Sequence, residues 1–404
     1  MTTHFPIVIL GGGLGGLTAA RVLHLGGIEA AVFDLEPDRH ARVQGGMLDI
    51  HTYNGQLAIR AAGLWEPFTN LIHPGGESMR ILDHTANVLV EQEDDGELNR
   101  PEVERGQLRD LLIDSLPADT IRWGRKASSV SEVPGHPGRH AIEFTDGEVI
   151  TTDLLIGADG AWSKVRPLLT DLTPSYTGIS FIEADLHDAD TRHPREAAAM
   201  GGGMMMSFRG NTGILGHRET DGSLHTYVGF QVPESWIDTV DWDDAAASTA
   251  AVLDRLEGWD ESLRGLIAHA DTALTPRRVN ALPVGISWDR VPGVTLLGDA
   301  AHVMSPFAGE GANIAMYDAS ELAQAIIKHP EDIEAALSSY EAALFPRAAE
   351  AAGDSAESLE MMFSEDSPRP LVEMFTRFAG DTEPGTNWTG TGEIGTGSPD
   401  SGRG

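Results

Sequence analysis

The sequence predicts an α/β protein. It is read as a doubly wound, Rossmann-type dinucleotide domain, with an antiparallel-sheet domain inserted into it and a long helix near the C-terminal end. Three observations carry this. The first forty residues spell strand, glycine loop, helix, strand and acid in order. Two later apolar strands also end in paired glycine and acid, at Asp159-Gly160 and Gly298-Asp299. Between those two, residues 176–273 read mostly as alternating strands with a hairpin around Asp221-Gly222.

Ile7-Val8-Ile9-Leu10 is a short apolar run, read as a buried strand. It enters Gly11-Gly12-Gly13-Leu14-Gly15-Gly16, where G-x-G-x-x-G falls on Gly11, Gly13 and Gly16. Such glycines make a tight turn, let backbone approach a pyrophosphate and let helix pack on strand. The Ala/Leu-rich helix that follows offers free N–H groups and positive dipole charge to phosphates. Asp34 closes the second strand, where it can accept hydrogen bonds from an adenosine ribose. A helix is expected from residue 54 to 62 and another from 107 to 116, with Arg105 at its start. A cation there opposes the helix dipole, so it answers either an anionic ligand or the neighbouring Glu102 or Glu104. Thr145-Asp146-Gly147 reads as a hairpin turn, and residues 153–158 as a separate buried strand. Two long helices are expected from about 313 and from 333 to 362.

Composition excludes several classes. The 404 residues hold no Cys, so disulfides, iron–sulfur clusters and thiolate metal sites are ruled out, and no other metal site is read. Redox chemistry, if present, needs a bound cofactor. There are 28 Lys and Arg against 62 Asp and Glu, a net charge of −34. That argues against nucleic acid and anionic membrane surfaces as partners. No apolar stretch approaches 18 residues and no signal peptide is read, so the expectation is a cytoplasmic monomer.

The three glycine–acid strand ends, in this order and spacing, resemble the group A flavoprotein monooxygenases of the para-hydroxybenzoate hydroxylase fold. The run from Gly298-Asp299-Ala300-Ala301-His302 through Pro306 to Gly309-Glu310-Gly311-Ala312-Asn313 carries the resemblance most specifically. The stretches 41–49, 105–109, 163–166 and 306–309 are similar to the tetracycline-inactivating flavin monooxygenases, over roughly residues 5 to 363. The resemblance implies FAD held by Gly11, Gly13, Leu14, Gly15, Gly16, Asp34, Asp49, Arg105, Asp159, Asp299, Pro306, Gly309, Gly311, Ala312 and Asn313. It places Arg42 near incoming NADPH or NADH, and Glu183, His225, Tyr227, Pro306, Phe307 and Met361 around the substrate. It further implies an NAD(P)H- and O2-consuming hydroxylase acting through a flavin C4a-hydroperoxide on an aromatic or polyketide, tetracycline-like substrate. No protein nucleophile or general base is identifiable.

The pocket departs from that pattern. The drug-contacting glutamine of those enzymes falls at Glu183, their arginine at about Gly203 and a glycine at Tyr227. These changes predict a poor fit for tetracycline. A flavin halogenase and a non-catalytic protein sequestering FAD and a drug are alternative readings. The resulting partition is a FAD-binding domain in three parts (1–76, 101–175 and 274–320). Substrate-domain strands occupy 77–100 and 176–273, C-terminal helices 321–380, and a disordered tail 381–404.

Overall fold

The computed structural model describes residues 2–41 and 45–380. The expected disordered tail, 381–404, lies outside them. In chain order, the first part holds β1 (Thr3–Leu10), α1 (Leu14–Leu25), β2 (Ala31–Phe33), β3 (Met47–Asp49), α2 (Gly55–Ala61) and α3 (Trp65–Thr69). Next come β4 (Met79–Leu82), β5 (Val88–Gln92), β6 (Glu102–Glu104), α4 (Arg105–Asp114), β7 (Ile121–Arg122), β8 (Ala127–Glu132), β9 (His140–Phe144) and β10 (Val149–Gly157). The middle holds β11 (Ser175–Leu186), α5 (Ala189–Arg192), α6 (Pro194–Met200), β12 (Met204–Arg209), β13 (Thr212–Arg218), β14 (Leu224–Gln231), α7 (Ala245–Arg255) and α8 (Glu261–Ala268). The chain closes with β15 (Thr275–Ala281), β16 (Val294–Leu296), α9 (Asp299–His302), α10 (Gly311–Lys328), α11 (Ile333–Met362) and α12 (Arg369–Gly380).

The first sheet runs β7-β2-β1-β10-β9-β8. β10 is one long strand rather than a hairpin arm plus a separate strand. Its first half pairs antiparallel with β9 and its second half parallel with β16. Val8, Ile9, Leu17, Leu23, Leu155 and Leu296 are fully buried between this sheet and its helices. The parallel register Leu10↔Gly157↔Leu296 brings the carboxyl ends of β1, β10 and β16 level, so the three glycine–acid turns lie on one edge. That edge is where doubly wound sheets bind ligands.

The second sheet runs β15-β11-β14-β13-β12-β4-β5. It extends past residue 273, because β15 pairs with β11 through Phe181↔Arg277. Alternation sorts its faces. Ile182, Ala184, Leu186 and Val228 bury one face under α6, α7 and α8; α7 matches the helix read at residues 245–256, whereas α6 and α8 interrupt a stretch read as strands. Phe181, Phe208, Phe307, Met362 and Phe363 fill the other face, toward the first sheet's ligand edge. The Asp146-Gly147 and Asp221-Gly222 turns form as expected, with Gly147 and Gly222 at φ 86° and 82°. Among the described residues, no helix is long and apolar enough to cross a membrane.

Candidate active site

The glycine loop is tight on one side and open on the other. Gly11 sits at φ 112°, and a Cβ there would lie 2.1 Å from the Ala158 carbonyl oxygen. A Cβ on Gly16 would lie 2.0 Å from the Gly11 carbonyl oxygen, so α1 packs directly on its own loop. A Cβ on Gly13 would meet nothing within 4 Å, and α1 has no side-chain cap there. The first N–H groups of α1 are therefore unclaimed by side chains at a place where a diphosphate can approach backbone. Asp34 is buried and accepts from the Gly12 N–H at 2.6 Å and the Glu36 N–H at 2.7 Å. It braces the loop, and each oxygen keeps a lone pair for a ribose hydroxyl. Buried Arg109 adds a second brace, donating to the Gly12 carbonyl at 3.1 Å and to Glu36 at 3.0 Å.

The other two turns are stitched together. Arg166 donates to the carbonyls of Ala161, Asp299 and Ala300 at 2.7–2.9 Å, joining the two turns. Asp159 accepts from the Ser163 hydroxyl and the Lys164 N–H, both at 2.6 Å. Asp299 is accessible to solvent, yet protein surrounds it closely enough to push its carboxyl up, against the pull of His302, Arg105 and Arg166. A Cβ on Gly15 would lie 2.7 Å from Leu297 Cδ1 and 3.0 Å from the Ala315 carbonyl oxygen, and one on Gly298 would lie 2.8 Å from Ala315 Cβ, so α1 and α10 pack side by side next to Asp299. α10 also starts without a side-chain cap, and a Cβ on Gly311 would meet nothing within 4 Å. Pro306, Phe307 and Ala308 form a 3-10 turn that ends at Gly309 with φ 69°.

Sequence reasoning missed what holds this edge to β3. Glu310, just before α10, accepts from the Tyr53 hydroxyl, from Asn54 Nδ2 at 2.7 Å and from His51 Nδ1 at 3.2 Å. His51 Nε2 donates to Asp49 at 2.9 Å. Asn313 donates to the Asp49 carbonyl at 2.8 Å and accepts from the His51 N–H at 3.0 Å. Burial would lower the His51 pKa, but Asp49 and Glu310 outweigh it and raise it to about 9. Thus Asp49 and Asn313, expected at the cofactor, are also knots of a buried polar network.

The face expected to meet the substrate is aromatic with one polar stripe. On β11 and β14, Phe181, Glu183, Asp185, His225 and Tyr227 share a face. The rings of Phe181 and Tyr227 are 5.4 Å apart, Phe181 and Phe307 5.5 Å, and Phe307 and Phe363 5.4 Å. A Cβ on Gly46, in the loop before β3, would sit 3.7 Å from the Tyr227 hydroxyl, so this face closes against that loop. His225 Nδ1 lies 2.5 Å from Asp185 Oδ1, while its buried Nε2 has no partner among the described residues. Burial works against the charge on His225, but Asp185 prevails and raises its pKa. Burial, with Glu183 nearby, pushes the Tyr227 phenol up to about 12.

Two expectations change here, and a third is untested. Arg42 lies outside the described residues. Glu183 is no free carboxylate: Arg277 donates to it at 2.9 Å from β15. Gly203 cannot stand for a lost arginine, because a Cβ there would lie 2.3 Å from the Ser78 carbonyl oxygen and 2.5 Å from that of Gly76. The guanidinium on this face comes from Arg277 on β15, a strand with no clear alternation in its sequence to announce it. Met361 is half-buried in the same cluster as Phe363, and Phe363 makes the ring contacts.

A family model described as FAD binding domain matches residues 4–355. The monooxygenase asqM of Emericella nidulans is 28% identical over 429 residues, covering 90% of this chain and 96% of that protein. The FAD-dependent urate hydroxylase of Mycolicibacterium vanbaalenii is 28% identical over 377 residues, covering 85% of each. Among solved structures, tetracycline destructase Tet(51) superposes with a TM-score of 0.69 at 19% identity, covering 94% of this chain and 95% of that one. At that identity the likeness speaks for the fold.

Proposed function

The chain belongs to the FAD binding domain family of flavin-dependent monooxygenases, and from that premise we propose that it hydroxylates an electron-rich aromatic or polyketide-type substrate. NADPH or NADH and O2 are the co-substrates. FAD, when bound, accepts hydride and activates oxygen; everything else falls to the protein. In this reading the open side of Gly13 and the uncapped start of α1 receive the pyrophosphate, and Asp34 the adenosine ribose. Asp299 and the start of α10 at Gly311-Ala312-Asn313 hold the flavin end, and Arg105 stands across from Asp299.

The observation that carries the substrate class is the Asp185–His225 pair on an aromatic face. Asp185 raises the His225 pKa and so favours its charged form, in which Nε2 is a proton donor on the ring-lined face. A phenolate or enolate oxygen is the acceptor that suits it, and the ionised form is the one whose ring carbon is most electron-rich. Phe181, Tyr227 and Phe307 present ring faces and edges that stack a flat substrate. Because Arg277 neutralises Glu183, the carboxylate no longer argues against an anionic substrate; the bulk of Tyr227 still disfavours tetracycline. The test follows NADPH loss by the yellow protein across phenols, quinolones, anthraquinones and tetracycline. Substrate-stimulated oxidation with a product heavier by one oxygen is expected. Halide-dependent product, or tight ligand binding without NADPH loss, would favour the halogenase or the sequestering protein instead.

A further inference from the structure

We propose that His193, Glu196 and His269 form a binding site for one divalent transition-metal ion of the zinc type, on the outer helical layer of the second sheet. One nitrogen of each ring and one carboxylate oxygen lie within 4.8 Å of one another. His193 precedes α6 and Glu196 lies in its first turn, so an H-x-x-E spacing puts both on one side of that helix. His269 follows α8 as its C-cap and faces them across the gap. Two imidazoles and one carboxylate are a donor set that zinc accepts, with further positions open.

The surroundings are built to hold these groups. Glu196 is buried, and its partner is His269 Nδ1 at 2.8 Å. Gly265 makes room for it: a Cβ there would lie 2.0 Å from Glu196 Oε1. His193 Nε2 lies 3.1 Å from Asp271, which Arg192 and the His187 N–H fix in place. That is the outer carboxylate contact that orients metal-bound imidazoles, and a tautomer donating to Asp271 leaves the Nδ1 lone pair for a metal. Tetrahedral zinc with bonds of about 2.0–2.2 Å needs donors about 3.4 Å apart. Rotation of His269, the one exposed member, closes the remaining gap. Glu196 and His269 also border a cavity of about 320 Å³, which leaves room for water ligands. The cations on its wall are turned elsewhere, Arg195 to Glu261 and Arg264 to the carbonyls of Leu253 and Leu256.

The test is calorimetry on tag-free, FAD-loaded, metal-stripped protein titrated with zinc chloride, with magnesium chloride as comparison. One saturable zinc site per chain is expected, with no competing magnesium site, since magnesium prefers oxygen-only shells. His269→Ala, at an exposed helix end, keeps the fold and weakens zinc at least tenfold. Asp271→Asn weakens it about 10- to 100-fold through orientation alone. His136→Ala, an exposed histidine remote from the cluster, changes nothing. Zinc raises the melting temperature of the parent protein but not of His269→Ala, because a ligand of the folded state stabilises by mass action. Zinc binding that survives His269→Ala, or that lacks a defined stoichiometry, overturns the assignment.

Discussion

Gly13 and Gly16 carry the same motif letter but different physics. At Gly16 the missing Cβ is needed by the fold itself, since the Gly11 carbonyl occupies its place at 2.0 Å. At Gly13 the missing Cβ leaves space open, and its φ of −79° is one that any residue adopts. Gly13→Ala is therefore expected to keep the parent melting temperature and lose flavin, because the methyl intrudes where the pyrophosphate approaches. Gly16→Ala should lose both, at a cost of about 1–3 kcal/mol for the overpacked loop. Flavin absorbance after gel filtration, read beside thermal unfolding, separates the two. A Gly13→Ala protein that retains full flavin would remove the diphosphate from this side of the loop. Asp34 shows how far a motif can be read at this scale. Its place after β2 is legible in the sequence; its grip on the Gly12 N–H is not, because that contact depends on how the loop folds back.

Elements were legible where local pattern decides them, and obscure where tertiary contact does. The bounds of α11 follow from its helical pattern from residue 333 to 362, and the end of α1 from the Ala/Leu run stopped at Gly26. By contrast, α6 and α8 are short pieces in a strand-rich stretch, buried against Ile182 and Val228, and no local period announces them. The sequence starts α10 near residue 313, two residues late, because its anchor is long-range: Glu310 is claimed by Tyr53, Asn54 and His51. That network makes element docking pH-dependent. Its pKa of about 9 lies above the ordinary 6.5, so His51 favours folding fully below about pH 6.5. The contribution declines above that and is gone once the pH passes about 9. The whole contribution is at most about 3 kcal/mol. Compared with His51→Gln, which stays neutral, the parent protein should melt higher at pH 6 and lose that advantage by pH 10. Parallel melting curves across that range would show that His51 is not charged in the folded state.

At the scale of the whole molecule, the two sheets carry the two halves of the proposed reaction, and a net charge of −34 surrounds both. The halves were legible to different degrees. The cofactor edge repeats a glycine–acid signal three times, whereas the substrate face depends on cross-strand neighbours such as Asp185 with His225 and Glu183 with Arg277, which sit 40 and 94 residues apart. The charge has a consequence for the proposed reductant. NADPH is a polyanion, and a field of this sign repels it beyond contact range. At 0.01 M salt the screening length is about 30 Å, so most of the surface contributes; at 0.1 M it is about 10 Å. Raising salt over that range should therefore lower the KM for NADPH, on the order of threefold, with kcat unchanged. A binding site ruled by local guanidinium contacts gives the opposite sign, since salt screens attraction as readily as repulsion. Arg42, the expected phosphate partner, supplies the matching variant. Arg42→Ala should raise the KM for NADPH at every salt concentration, leave bound FAD unchanged and keep the downward trend with salt. A parent KM that rises with salt would mean that a local basic patch, not the acidic surface, governs the encounter. A KM indifferent to Arg42→Ala would remove that residue from the nucleotide's path.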